Sequence, residues 1–220
     1  MHHTQSHERS ARTALIVTLV LAAGSLLGGA SVDAATKTPF DQNLVKNPGA
    51  EAGAGTSGDA HVTIPHWHVT DAFTVVRYGA PGFPTKDESG RIGGGKKFFS
   101  CGQDTASGDA FQDIVLSGRQ TLVDNGHVKV IVKARLASYA SQQDVAQASV
   151  SFFKGFSPIS QIYTDSVAAS DGLFITKSVS GVVPPSTNRL RVEMIGRRAD
   201  NGGTYCDAYF DNTSVVLKLI

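Results

Sequence analysis

The 220-residue chain has little of what would place it in most functional classes. Charge is scarce: 18% of residues are charged, and 20 Lys and Arg stand against 19 Asp and Glu, a formal net charge of +1. No basic stripe is available to neutralise a phosphate backbone, so nucleic acid is not an expected partner. The balance also excludes charge-driven disorder over most of the chain. There are only two cysteines, Cys101 and Cys206, and they lack the C-x-x-C spacing of zinc or redox sites. Neither a Gly-x-Ser-x-Gly elbow nor a His-Glu-x-x-His motif occurs, so the chain is not expected to be an enzyme. Only one long apolar run is present, close to the first residue.

That run has a specific form. Arg9 and Arg12 precede the apolar residues 13–23, and small residues follow down to Val32-Asp33-Ala34. This is the basic, apolar and small-residue order of a secretory signal peptide. A membrane-spanning helix needs about 20 predominantly apolar residues, and Gly24, Gly28 and Gly29 dilute the second half of the run. The expected organisation is a signal peptide over residues 1–34, a flexible leader over 35–42 and one domain over 43–220. The mature protein is then secreted and has no membrane partner. Export also changes the reading of the cysteines, because an oxidising compartment lets Cys101 and Cys206 pair. The alternative is two separately buried thiols.

Beyond residue 43 the apolar residues recur every second position in short runs, separated by Gly, Pro, Asn, Asp and Ser. In residues 128–136, Val128, Val130, Val132, Ala134 and Leu136 face one way and Lys129, Lys133 and Arg135 the other. Ala146, Ala148, Val150 and Phe152 alternate with polar residues in the next run, as do Leu190, Val192 and Met194 in a later one. Further strands are expected over 43–46, 73–78, 97–100, 111–116, 173–180 and 205–219. Roughly nine or ten strands with one dry face each imply an all-β, two-sheet antiparallel sandwich of jelly-roll type. A closed barrel is the alternative.

Two segments at opposite ends of the mature chain then matter together. Asn43-Leu44-Val45-Lys46-Asn47-Pro48-Gly49-Ala50-Glu51 resembles the opening strand of the carbohydrate-binding-module-like, galactose-binding-like jelly rolls, and Ala208-Tyr209-Phe210-Asp211-Asn212-Thr213-Ser214-Val215 is similar to their closing strand. Ala50 stands where that family usually has Phe. The resemblance implies a structural calcium ion tying Glu51 to Asp211, with backbone carbonyls completing the hard-oxygen shell that calcium takes. It also implies carbohydrate as the partner, a cell-wall or environmental glycan.

Sugar binding by such a scaffold relies on aromatic faces against pyranose C–H surfaces. The ligand candidates are Tyr139, Tyr163, Tyr78 and Trp67, with Phe83 a further aromatic to test. Trp67 lies in Ile64-Pro65-His66-Trp67-His68, a setting that also suits a core plug, whereas Tyr139 and Tyr163 stand in polar loops. His61, His66 and His68 cluster, but no acid or thiol stands at ligand spacing beside them, so no metal is expected there. The sequence points to a secreted, non-catalytic carbohydrate-binding protein. The alternative is a secreted structural or protein-interaction sandwich without a sugar site.

Overall fold

Period-two alternation of apolar residues does build strands, and the strands build two sheets. The computed structural model describes residues 36–58, 60–70, 72–199 and 203–220, so the expected signal peptide lies outside the described residues. In chain order the elements are β1 (His68–Val69), β2 (Thr74–Arg77), α1 (Lys86–Ile92), β3 (Lys97–Gly102), β4 (Ser107–Val115), α2 (Gln120–Asp124), β5 (Val128–Ser138), β6 (Val145–Lys154), β7 (Ser157–Tyr163), β8 (Ile175–Val182), β9 (Arg189–Arg197) and β10 (Cys206–Leu219). The first sheet runs β2-β3-β10-β5-β8 and the second β1-β4-β9-β6-β7. Every strand pairing is antiparallel.

The main core lies between the sheets. Val128, Val130, Val132, Ala134 and Leu136 of β5 are fully buried, and they share one cluster with Ala146, Ala148, Val150 and Phe152 of β6 and Leu190, Val192 and Met194 of β9. A second, smaller cluster holds Val76, Tyr78, Ile92, Phe98, Phe174 and Tyr209. Phe98 and Tyr209 alternate with the core residues Phe99 and Phe210, so this cluster sits on the outer face of the first sheet. Strand β3 is consequently buried along its whole length.

Some boundaries differ from the sequence reading, each for a local reason. The expected strand at 43–46 contributes one bridge, Asn43 to Val216, because the Asn43 side chain takes over the pairing and accepts from the N–H groups of Val45 and Val215. Strand β7 was not expected, since its residues are mostly exposed and carry no burial pattern. Helix α1 is too short to show periodicity, yet its ends are written in the sequence: the Thr85 hydroxyl caps Glu88 N–H, and Gly93 closes the helix at φ 67°. Cys101 and Cys206 form a disulfide between the neighbouring strands β3 and β10.

Candidate ligand-binding site

At the end of the sandwich where β5 stops and β10 begins, loops from distant parts of the chain enclose a cavity of ≈ 400 Å³. Its wall contains the rings of Phe83, Tyr139 and Tyr205, the polar groups of Ser57, Gln142 and Asp207, and the turn Pro81-Gly82. A second recess of ≈ 240 Å³ shares Gly82, Phe83 and Tyr139 and extends towards Thr85, Glu88 and Asp171. Tyr139 and Tyr205 are each about two-fifths exposed, at 39% and 41%. Both rings are therefore held in place on one side and open on the other.

The wall is positioned by buried polar groups. Asp144 is 1% exposed, and its two carboxylate oxygens accept from Ala199 N–H at 2.8 Å and Asp207 N–H at 2.7 Å. Tyr139 N–H donates to Asp207 C=O at 3.2 Å, which ties the end of β5 to the start of β10. Gln142 N–H donates to Tyr139 C=O at 3.1 Å, while the Ser138 hydroxyl donates to Gln142 C=O at 3.2 Å. Phe83 rests on Phe98 and Tyr209 at centroid distances of 6.2 and 6.0 Å. Two acceptors of these wall residues have hydrogen-bonding capacity left. Gln142 Oε1 is buried without a hydrogen-bond partner among the described residues. Asp207 accepts one bond from the Tyr209 hydroxyl at 2.9 Å. Burial lifts its carboxyl above the usual range; the Tyr209 bond works against that, and the nearby Asp144 charge adds to it.

Glu51 and Asp211 lie elsewhere, under the turn Gly93-Gly94-Gly95. Glu51 Oε1 accepts from the N–H groups of Lys96 and Lys97 at 2.8 and 2.9 Å. Asp211 is fully buried, with Oδ2 accepting from the Tyr78 hydroxyl at 2.6 Å and Oδ1 from Asn212 N–H at 2.7 Å. Burial pushes the Asp211 carboxyl up to about 8, against the Tyr78 and Asn212 bonds, and the Glu51 charge adds to the rise. No salt bridge reaches either carboxylate among the described residues.

Of the sequence-derived ligand candidates, the structure places Tyr139 in the cavity wall and separates the other three from it. Tyr78 is 4% exposed and packs on Phe98, because the 79–96 segment folds over it. Trp67 is 7% exposed, its ring edge-on to Phe99 and its indole N–H bonded to Asn47 C=O. These two are core residues, a correction to their candidacy as ligand contacts. Tyr163 is exposed but ends β7 instead of sitting in a loop, and its hydroxyl donates to Gln161. Tyr205, Gln142 and Asp207 were not anticipated. The available signal was indirect: Tyr205 and Asp207 flank Cys206, so a bridge to Cys101 fixes both at a strand end. His61, His66 and His68 form no metal-holding group among the described residues, and His68 stacks on Phe111 at 5.1 Å.

No protein-family model matches the chain, and no curated protein matches it. Solved structures do. The Stig cyclase Fisc from Fischerella sp. TAU, in complex with (3Z)-3-(1-methyl-2-pyrrolidinylidene)-3H-indole, is 13% identical over 80% of this chain and 97% of that one, with a TM-score of 0.56. Similar structures also include carbohydrate-binding modules: TmCBM61 in complex with beta-1,4-galactotriose is 16% identical, covering 81% of this chain and 99% of that one, TM-score 0.45. The enzymatically active domain of tailspike protein 4 from bacteriophage CBA120 is 15% identical over 80% of this chain, TM-score 0.48, and the chain spans about a fifth of its length (21%). At 13–16% identity such likeness concerns the fold alone.

Proposed function

We propose that this protein is an exported, non-catalytic binder of neutral carbohydrate, and that the sugar sits in the cavity beside Tyr139, Tyr205 and Phe83. The observation that carries this reading is the composition of the wall: aromatic rings for C–H faces, with acceptors at Gln142 and Asp207 for hydroxyls. Among the described residues no Lys or Arg lines either recess, which disfavours uronates and sulfated sugars. The fold by itself does not decide the matter, since a cyclase of the same fold was solved with an indole compound. Glycoside hydrolysis requires two working carboxyl groups. Among the described residues the cavity wall offers one, Asp207, and the adjoining recess two, the exposed Asp171 and Glu88; Glu88 is committed to Arg91 through two bonds of 2.6 Å and to Phe174 N–H, so neither recess brings two uncommitted carboxyl groups together. Export is supported by the signal-like sequence and by the disulfide, which suits an oxidising compartment. Among the described residues no helix is long and apolar enough to cross a membrane.

Affinity electrophoresis through neutral and acidic polysaccharides tests the site. Retardation by a neutral polymer is expected, weakened about tenfold or more by Tyr139→Ala or Tyr205→Ala and left unchanged by Tyr163→Ala. A folded protein that no polymer retards would overturn the proposal.

The calcium reading belongs here as well. Glu51 and Asp211 offer hard oxygen donors of like charge that no salt bridge reaches among the described residues, and the Glu51 charge adds to the raised Asp211 carboxyl, a set that fits a divalent ion. Bound there, calcium would join the first segment of the domain to β10. A calcium concentration about a hundredfold over its Kd should stabilise the fold by about 2.7 kcal/mol. Thermal unfolding with and without chelator reads this, and Glu51→Gln should abolish the difference. Identical melting curves in both buffers would remove calcium from the account.

A further inference from the structure

Each sheet ends in two edge strands, and three of the four edges are short, covered or charged. Strand β1 is only two residues long. The free side of β2 is taken by Thr56, whose N–H donates to Val75 C=O at 3.0 Å and whose C=O accepts from Arg77 N–H at 2.9 Å. Strand β8 carries Lys177, which pairs with Asp165 at 3.6 Å. Strand β7 is blunted only near its start, by Pro158 and a bulge opposite Phe152 and Phe153; residues 155–164 read Gly-Phe-Ser-Pro-Ile-Ser-Gln-Ile-Tyr-Thr, without a charge, and among the described residues no strand pairs with the outer edge of 160–163. Exposed edges of folded proteins are normally blunted by charge, proline, bulges, brevity or cover, and the second half of β7 has none of these.

The backbone of β7 is arranged to pair again. Thr164 N–H donates to Ala148 C=O at 2.9 Å, and Ile162 and Gln161 stand opposite Val150 and Ser151. In an antiparallel ladder the bonded pairs alternate. Gln161 and Tyr163 therefore turn their N–H and C=O groups away from β6, to the open side. Ile159 and Tyr163 are 40% and 48% exposed, so apolar side chains accompany the free backbone.

We propose that two copies of this chain associate through β7, antiparallel to its own symmetry mate, joining their second sheets into one. The charge pattern selects a second copy over an unrelated peptide. A two-fold interface sets each strand against itself, where any central charge would meet its own kind, and β7 has none. Its flanks are opposite in sign: exposed Lys154 before the strand and Asp165, 87% exposed, after it. Antiparallel self-pairing brings Lys154 of one copy to the Asp165 end of the other.

Sedimentation velocity on the purified protein, from micromolar to submillimolar concentration, tests this. A monomer–dimer equilibrium is expected, abolished by Ser160→Lys, which sets like charges across the axis at an exposed position. Lys154→Asp should weaken the dimer about tenfold, and adding Asp165→Lys to it should restore association, a rescue that only antiparallel self-pairing explains. Circular dichroism establishes that each variant is folded. A monomer at every concentration, or a dimer indifferent to Ser160→Lys, would overturn the assignment.

Discussion

At Gly94 the backbone passes so close to the Asp211–Tyr78 pair that a Cβ would lie 2.5 Å from Asp211 Oδ2 and 2.7 Å from the Tyr78 hydroxyl. The pair is buried and hydrogen-bonded, so it has little room to yield. Gly94→Ala is expected to destabilise the protein by about 1–3 kcal/mol. Gly58→Ala, with nothing within 4 Å of its Cβ, should leave the midpoint of urea unfolding nearly unchanged. The same residues show what single-residue reading can and cannot see. Tyr139 was legible because it follows a strand of clean alternation and precedes a polar stretch. Tyr78 looked equally available, but its exposure depends on the 79–96 segment and on Phe174, which meets it at 5.9 Å from 96 residues away. The cavity wall draws residues from 57 to 207, and no local pattern records that meeting.

Strands β5, β6 and β9 were readable because each has one wet face. Strand β7 lacks a dry face and so gave no signal, while β3, expected over 97–100, is buried on both faces and was legible as a short apolar run without alternation. The jelly-roll expectation survives as two five-stranded antiparallel sheets. Helix α1 has capped ends but a weak interior, where exposed Gly90 adds backbone entropy without a packing role, its Cβ position being open. Gly90→Ala is expected to stabilise the protein by about 0.5–1 kcal/mol, seen as a raised Tm. A lower Tm would mean that the helix is strained in a way its capping does not reveal.

Across the whole molecule the carboxyl groups divide by environment. Burial works to raise Glu88, but the bonds from Arg91 and Phe174 N–H prevail and hold it below the ordinary range. The Arg191 bond does the same for Asp113 against partial burial, with Arg189 assisting. Both stay ionised in the folded state where the unfolded chain takes up protons, so their contribution is present above the ordinary carboxylate range and lost as pH falls through it. Asp207 and Glu193 behave oppositely. Burial lifts each, and Asp144 and Asp109 respectively add to the rise. The folded state then holds protons that the unfolded chain has released, and stability declines as pH rises above the ordinary range. Asp211, pushed up to about 8, adds to the same decline, so thermal unfolding should trace a bell, with Glu88→Gln flattening the acid limb and Asp207→Asn easing the other only in part. A Tm that climbs steadily from acid to neutral pH would contradict the division. One topological fact described above also governs how the molecule comes into being. The centre of the first sheet is β10, the last strand in the sequence, paired with β3 on one side and β5 on the other. Until that segment has left the ribosome, β3 and β5 have no partner between them and Cys101 has no thiol to meet. The first sheet therefore cannot close before β10 is made, and the core between the two sheets stays unfinished until then.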